Sequence, residues 1–107
     1  MHNDLRDALE LDEPQAHDLL IDPATLISCV VIDDQGQSWV MPYHRLGPSR
    51  FLGAKFELAF GDHVVAVTLH HEPPSVTVEQ ILQAVAQWRL ALIADGERFQ
   101  VQVQVAA

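Results

Sequence analysis

The chain has 107 residues, of which 49% are hydrophobic and 20% are charged, a composition typical of one globular domain. Its formal net charge of −9 argues against a nucleic-acid partner, because phosphate backbones are bound by clustered Lys and Arg. The sequence shows no apolar run of the roughly 18 residues that span a bilayer and no signal-peptide pattern, so we expect no membrane partner. The single cysteine, Cys29, excludes an internal disulfide, and we expect a cytoplasmic protein stabilised by packing.

Acidic residues are concentrated at the front of the chain. Residues 1–24 carry seven Asp or Glu and one Arg, a net charge of −6, whereas the other 83 residues carry only −3. The spacing of Leu and Ala predicts a short helix capped by Asn3 or Asp4, then a second helical turn whose inward side chains include Leu19 and Leu20. We therefore expect an acidic N-terminal arm over these residues that is helical or partly disordered.

The first predicted hairpin lies between Leu26 and His44. An apolar run rich in β-branched residues precedes Asp33 and predicts a strand, and the Asp-Asp-Gln-Gly sequence that follows predicts a type I turn with Gly36 in the left-handed region. In that turn Asp33 pairs with Gln37. The resulting register pairs Val31 with Trp39, and Cys29 with Met41.

The second predicted hairpin occupies residues 51–71. Its two-residue link, Gly61-Asp62, suits a type II′ turn, whose twist matches that of the strands it joins. The register then pairs Phe60 with His63, Leu58 with Val65, Phe56 with Val67 and Ala54 with Leu69. One face of the hairpin is almost wholly apolar, so we expect that face to be buried.

A helix and a final strand follow. Thr77 and Gln80 form a capping box that predicts the start of the helix. The apolar stripe continues to Ile93, and we expect Gly96 to end the helix in the left-handed conformation. Residues 99–105 alternate Val with Gln so strictly that they predict a strand.

We expect these elements to build a two-layer α+β domain over residues 25–107. The order is β-β-β-β-α-β, with one long helix packed on a mainly antiparallel five-stranded sheet. The fifth strand would lie either parallel to the fourth or antiparallel beside the first. Val101, Val103 and Val105 would then leave an uncharged sheet edge, which a second subunit or the N-terminal arm must cover.

The loop from Pro42 to Arg50 contains no acidic residue and forms a basic spot on an acidic protein. Arg45 and Arg50 would clamp a carboxylate or a phosphate. His44 and Tyr43 would add directional donors. The alternative is that the arginines form surface ion pairs with the acidic arm, which contribute little.

His70 is the remaining candidate binding residue. It would share a face with His44 if their strands lie close, and a carboxylate such as Glu72 or Glu57 would complete a zinc or iron constellation. Neighbouring strand residues point to opposite faces, however, so His70 and His71 cannot both bind one ion in a regular strand. We predict no metal and no other cofactor.

No catalytic residue is predicted. Cys29 lies in the middle of a strand, where burial would keep its thiol neutral and inert. Ser49 lies in a loop that has neither the strained elbow nor the third member of a catalytic triad.

The run Trp39–Leu46, followed by an apolar hairpin and a helix, resembles segments of small bacterial proteins, and this resemblance implies no site residues. We expect a cytoplasmic, non-enzymatic interaction or regulatory module whose partner is another protein or a second copy of itself. One alternative is a small-anion or metal-binding protein that uses the His44–Arg50 loop together with His70. The other is an acidic decoy that occupies a nucleic-acid-binding protein.

Overall fold

The computed structural model describes residues 18–70 and 74–106, which form two four-stranded sheets and one α-helix. The α+β class is therefore confirmed, and the prediction of a single five-stranded sheet is wrong. The elements in chain order are β1 (Leu19–Ile21), β2 (Ser28–Ile32), β3 (Ser38–Pro42), a 3-10 helix (Tyr43–Arg45), β4 (Arg50–Leu52), β5 (Lys55–Phe60), β6 (His63–Leu69), α1 (Pro74–Ala86), β7 (Leu90–Ala94) and β8 (Phe99–Val105).

The first sheet has the strand order β1-β7-β2-β3. Its β2–β3 hairpin has the predicted register, with Val31 opposite Trp39 and the backbone N–H of Asp33 donating to the carbonyl of Gln37 at 3.0 Å. Gly36 has a φ of 79°, which confirms its predicted left-handed conformation. The turn chemistry of the sequence was therefore sufficient to fix this hairpin.

The second sheet is antiparallel throughout, with the order β4-β5-β6-β8. Phe60 lies opposite His63 as predicted, and Gly61 has a φ of 61° at the first turn position. A second glycine turn, at Gly53 with a φ of 63°, separates β4 from β5 and folds Phe51 back against Phe56. The prediction had run these two strands together as one segment.

The helix differs from its prediction at both ends. It begins at Pro74, a residue suited to the first helical position, so Thr77 lies inside the helix and does not cap it. It ends at Ala86, where Trp88 has a φ of 58°. Gly96 is not the helix stop, because residues 90–94 form the strand β7.

Strand β7 changes the topology of the whole domain. It pairs parallel with β2 and antiparallel with β1, which places it inside the first sheet. The chain then returns so that β8 pairs antiparallel with β6, and both predicted placements of the last strand are wrong. Leu19 and Leu20 lie in β1, opposite Ile93 and Leu92, and not in a helical turn. The helix predicted at Asn3 or Asp4 lies outside the described residues.

One hydrophobic core joins the inward faces of both sheets to one face of α1. The hydroxyl group of Tyr43 enters this core and donates to the carbonyl of Leu90 at 2.6 Å. The largest fully buried side chains are Tyr43, Phe56, Phe99, Leu58, Ile81, Leu90 and Ile93. Within the described residues, no helix has the length and apolar character needed to cross a membrane.

Candidate functional site

The outer edge of β8 is the sheet edge that the sequence singled out, and its hydrogen bonding follows from the register. At the two ends of the β6–β8 ladder, the N–H of His70 donates to the carbonyl of Arg98 and the N–H of Ala106 donates to the carbonyl of Asp62. Hydrogen-bonded pairs alternate along an antiparallel ladder. The backbone groups of the even-numbered residues of β8 therefore face β6, and those of its odd-numbered residues face the open edge.

The beginning of this edge is covered. The N–H of Val101 donates to the carboxylate of Asp95 at 2.9 Å, and its carbonyl accepts from the N–H of Asp34, also at 2.9 Å. Asp34 and Asp95 follow the parallel strands β2 and β7, so the ends of the first sheet reach the edge of the second. At Val101 the edge is covered by loops of the folded domain, and not by either of the two predicted covers, a second subunit or the N-terminal arm.

The end of the same edge is open. Among the residues that the structure describes, none forms a hydrogen bond with the outward backbone groups of Val103 or Val105. The Val105 side chain is 73% exposed, and the Val103 side chain packs partly on the core. This segment, Val103–Val105, contains no charge, no proline and no bulge, which are the features that usually protect an edge strand from pairing.

The other two edges that can be compared carry more protection. In β3 the outward backbone groups belong to Ser38, Val40 and Pro42, and Pro42 has no N–H to donate. Val40 is 68% exposed, which makes it a close counterpart of Val105. Strand β4 has only three residues and begins with a charged one, Arg50.

The predicted basic loop is divided between three elements. His44 and Arg45 are exposed in the 3-10 helix, and the carbonyl of Arg45 accepts from the N–H of Gly61 at 3.0 Å. Arg50 lies in β4, where its guanidinium donates to the carboxylate of Glu57 at 2.8 Å. That carboxylate belongs to β5. The ion-pair partner that the structure describes for Arg50 therefore lies in the folded domain, whereas the prediction had placed it in the acidic arm.

His70 lies at the opposite end of β6 from Arg45. Arg45 is beside the turn that precedes β6, and His70 follows the last residue of β6. Six steps of about 3.3 Å separate the ends of that strand, or about 20 Å. The structure does not bring His44 and Arg45 together with His70, and ligand binding by these residues stays a prediction.

Tyr43 and Cys29 are both buried in the core. The Tyr43 hydroxyl is bonded to Leu90, so its expected role as a donor in the loop is wrong. Burial raises the pKa of the Cys29 thiol to about 12, which confirms that this cysteine is a neutral core residue. No group of three metal-binding side chains occurs among the described residues, and His71 and Glu72 lie outside them.

Two residues important at the β8 edge were missed. Asp34 and Asp95 determine where the open segment starts, but they come from a turn and from a loop that the prediction placed in or after the helix. Only the contact between the two sheets brings them to Val101, and no local pattern indicates that contact. Gly53 had a local signal, since Gly followed by one residue between two apolar runs is typical of a tight hairpin.

Comparison with known proteins provides no function. No protein-family model matches the sequence, and no match is found among curated proteins or solved structures. The functional argument therefore rests on the geometry of this chain.

Proposed function

We propose that the protein is a small interaction module that associates with a second copy of itself by strand addition at the open segment of β8. The observation that carries the proposal is the segment of exposed Val105 and half-buried Val103, whose outward backbone groups have no partner among the described residues. A cytoplasmic location belongs to the same proposal, since the only cysteine is a free, buried thiol.

The register of such a dimer follows from the ladder. An antiparallel pairing centred on Gln104 sets Val103 opposite Val105 of the partner subunit, and the two-fold axis repeats that pair. Each pair exchanges two backbone hydrogen bonds, so the interface gains four. The two second sheets would then form one continuous eight-stranded sheet. The covered Val101 limits the pairing to this short segment.

The size of the interface sets its strength. Each of the four hydrogen bonds contributes a net free energy of about 1 kcal/mol. Association costs roughly 4–15 kcal/mol in lost translational and rotational freedom, so the hydrogen bonds do not exceed this cost. Burial of the four valine side chains must supply the difference, so we expect a weak, concentration-dependent dimer. Because each copy carries a net charge of −9, the copies repel each other, and added salt should strengthen the dimer by screening that repulsion.

Sedimentation equilibrium over a concentration range of about 5 to 500 µM tests the proposal, since this range covers dissociation constants typical of weak dimers. The variant V105P removes the outward N–H and breaks no bond to β6, so it should be monomeric throughout. The variant V105T keeps the N–H and nearly the same shape, and it should still dimerise. The matched control is V40P, which removes the same group from an equally exposed valine at the β3 edge.

Two results would contradict the proposal. A wild-type protein that stays monomeric at the highest concentration would exclude self-association. A dimer that persists in V105P but dissociates in V40P would assign the interface to β3. Circular dichroism of each variant establishes that the loss of dimer is not a loss of fold.

A further inference from the structure

We propose that a groove along the β4–β5 hairpin binds an anion carried on a flat apolar group. The groove has a volume of about 470 Å³, which lies within the range of small-molecule sites. Its described lining combines an apolar wall with three charged side chains. The lining residues are Arg50, Phe51, Leu52, Lys55, Phe56 and Glu57.

The apolar wall is built by the hairpin register. Phe51 lies opposite Phe56, and their rings stack with centroids 4.8 Å apart and planes 14° apart. Leu52, next along β4, points to the opposite face of the hairpin from Phe51 and is 81% exposed. A flat apolar ligand laid on Leu52 would remove that side chain from water, which favours binding, while the stacked rings support the hairpin from its other face.

The charged side chains lie on the same face of the two strands as Leu52, opposite the stacked rings. Arg50 is directly opposite Glu57, and Lys55 is the diagonal neighbour of Arg50, a position whose side chains start about 7–8 Å apart. Glu57 accepts one hydrogen bond from the Arg50 guanidinium, which has five N–H groups and so retains donors for a ligand. No described residue forms an ion pair with Lys55. The described lining of the groove, with Arg50, Lys55 and Glu57, therefore has a net charge of +1 on a chain of net charge −9.

This charge balance selects the class of ligand. A cation would meet a carboxylate that is already paired, and a nucleic-acid strand would need more than two basic side chains. One carboxylate, sulfonate or phosphate group matches two cations on a rigid hairpin. The groove lies at the β4 edge of the second sheet and the proposed dimer at the β8 edge, so neither proposal depends on the other.

The test is a titration of ¹⁵N-labelled full chain with 2-naphthoate, followed by the amide shifts in two-dimensional NMR spectra. We expect shifts centred on residues 50–57. The uncharged analogue 2-naphthalenemethanol should bind more weakly, because it lacks the anion. In K55Q the dissociation constant of 2-naphthoate should rise about two- to fivefold, the effect of one exposed charge contact.

The matched control is R45Q, which removes one exposed positive charge outside the groove. It should leave the dissociation constant unchanged. The proposal is overturned if the shifts lie elsewhere, if the neutral analogue binds equally well, or if R45Q weakens binding as much as K55Q. The last result would instead support the predicted loop site at His44 and Arg45. The variant L52S should weaken both compounds, since it reduces the apolar wall alone.

Discussion

Asp33 holds the β2–β3 turn with three accepted hydrogen bonds. One carboxylate oxygen accepts from the backbone N–H groups of Gln35 and Gln37, and the other accepts from the indole N–H of Trp39, all at 2.9 Å. The bond from Trp39, with help from the two backbone bonds, lowers the pKa of the Asp33 carboxyl. The rings of Trp39 and His63 also pack together with their centroids 5.3 Å apart, so this turn contacts the second sheet.

This pKa shift predicts a pH-dependent stability. Because the pKa of Asp33 is lower in the folded chain, its contribution is complete above the ordinary carboxyl pKa and is lost as the pH falls through the lowered value. In D33N the remaining side-chain oxygen can still accept from the two backbone N–H groups. The new amide NH₂ group would then face the indole N–H of Trp39, and two donors cannot form a hydrogen bond. We expect D33N to unfold at a lower urea concentration than wild type at pH 7, and the gap to narrow in acid.

The control for this measurement is D34N. Asp34 is exposed, and among the described residues its carboxylate accepts one long hydrogen bond, from the Gln102 amide at 3.3 Å. Its backbone contact with Val101 is not changed by the substitution. A urea midpoint that moves equally in both variants, or a gap for D33N that stays constant in acid, would contradict the role assigned to Asp33.

At the residue scale the sequence was informative wherever the interaction was local. The Asp-Asp-Gln-Gly turn, with its partner Gln37, depends only on neighbouring backbone conformations, and it was predicted correctly. The bonds from Trp39 to Asp33 and from Tyr43 to Leu90 depend on where a side chain points after packing. The second of these removed Tyr43 from the candidate binding loop, a change that no spacing rule could indicate.

At the element scale the main difference lies between Ala86 and Ala94. The apolar residues of this stretch continue the helical stripe, and a short apolar run alone does not distinguish a strand from a helix. The helix ends in a Schellman motif. The backbone N–H of Trp88 donates to the carbonyl of Val85 at 3.1 Å, and the backbone N–H of Arg89 donates to the carbonyl of Ala84 at 2.6 Å. Glycine is usual at the left-handed position, but Trp88 occupies it here, and its ring stacks on Tyr43 at 5.4 Å.

Gly61 and Gly96 were both predicted to lie at chain reversals that need a positive φ, and only Gly61 has one. Gly61 has a φ of 61°, so G61A should lose about 1–2 kcal/mol of stability, the usual cost of a left-handed residue with a side chain. The new methyl group would also meet the Arg45 guanidinium, a flexible group that can move away. Gly96 does not have a positive φ, and a methyl group there would meet only Asp18 at 4.0 Å.

Urea denaturation of G61A and G96A measures this difference. We expect G96A to stay within about 0.5 kcal/mol of wild type or to gain slightly, because alanine lowers the entropy of the unfolded chain. The double variant R45A/G61A should remain as unstable as G61A, since the strain is in the backbone. A loss in G96A as large as that in G61A would contradict the absence of left-handed strain at Gly96.

At the scale of the whole molecule, the two sheets cannot be assigned from the order of elements alone. Strand β7 comes late in the chain but lies between β1 and β2, and its pairing with both spans more than 60 residues. Such distant pairing is decided by burial of Leu90 and Ile93 against the common core. The sequence therefore predicted the two hairpins and the last strand well, and the sheet order and the covered part of the β8 edge poorly.

Cys29 provides a measure of whether the two sheets unfold as one unit. Its thiol is fully buried in the core that both sheets share, and this burial raises its pKa to about 12. The reactive thiolate is therefore scarce in the folded chain, and the surrounding core also blocks access to the sulfur. We expect labelling by 5,5′-dithiobis(2-nitrobenzoate) to occur only through unfolding, so that the opening free energy from labelling rates equals the free energy of unfolding from urea denaturation. An opening free energy lower by about 2 kcal/mol or more would show that the first sheet detaches while the second stays folded, because β2 carries Cys29 and belongs to the first sheet alone.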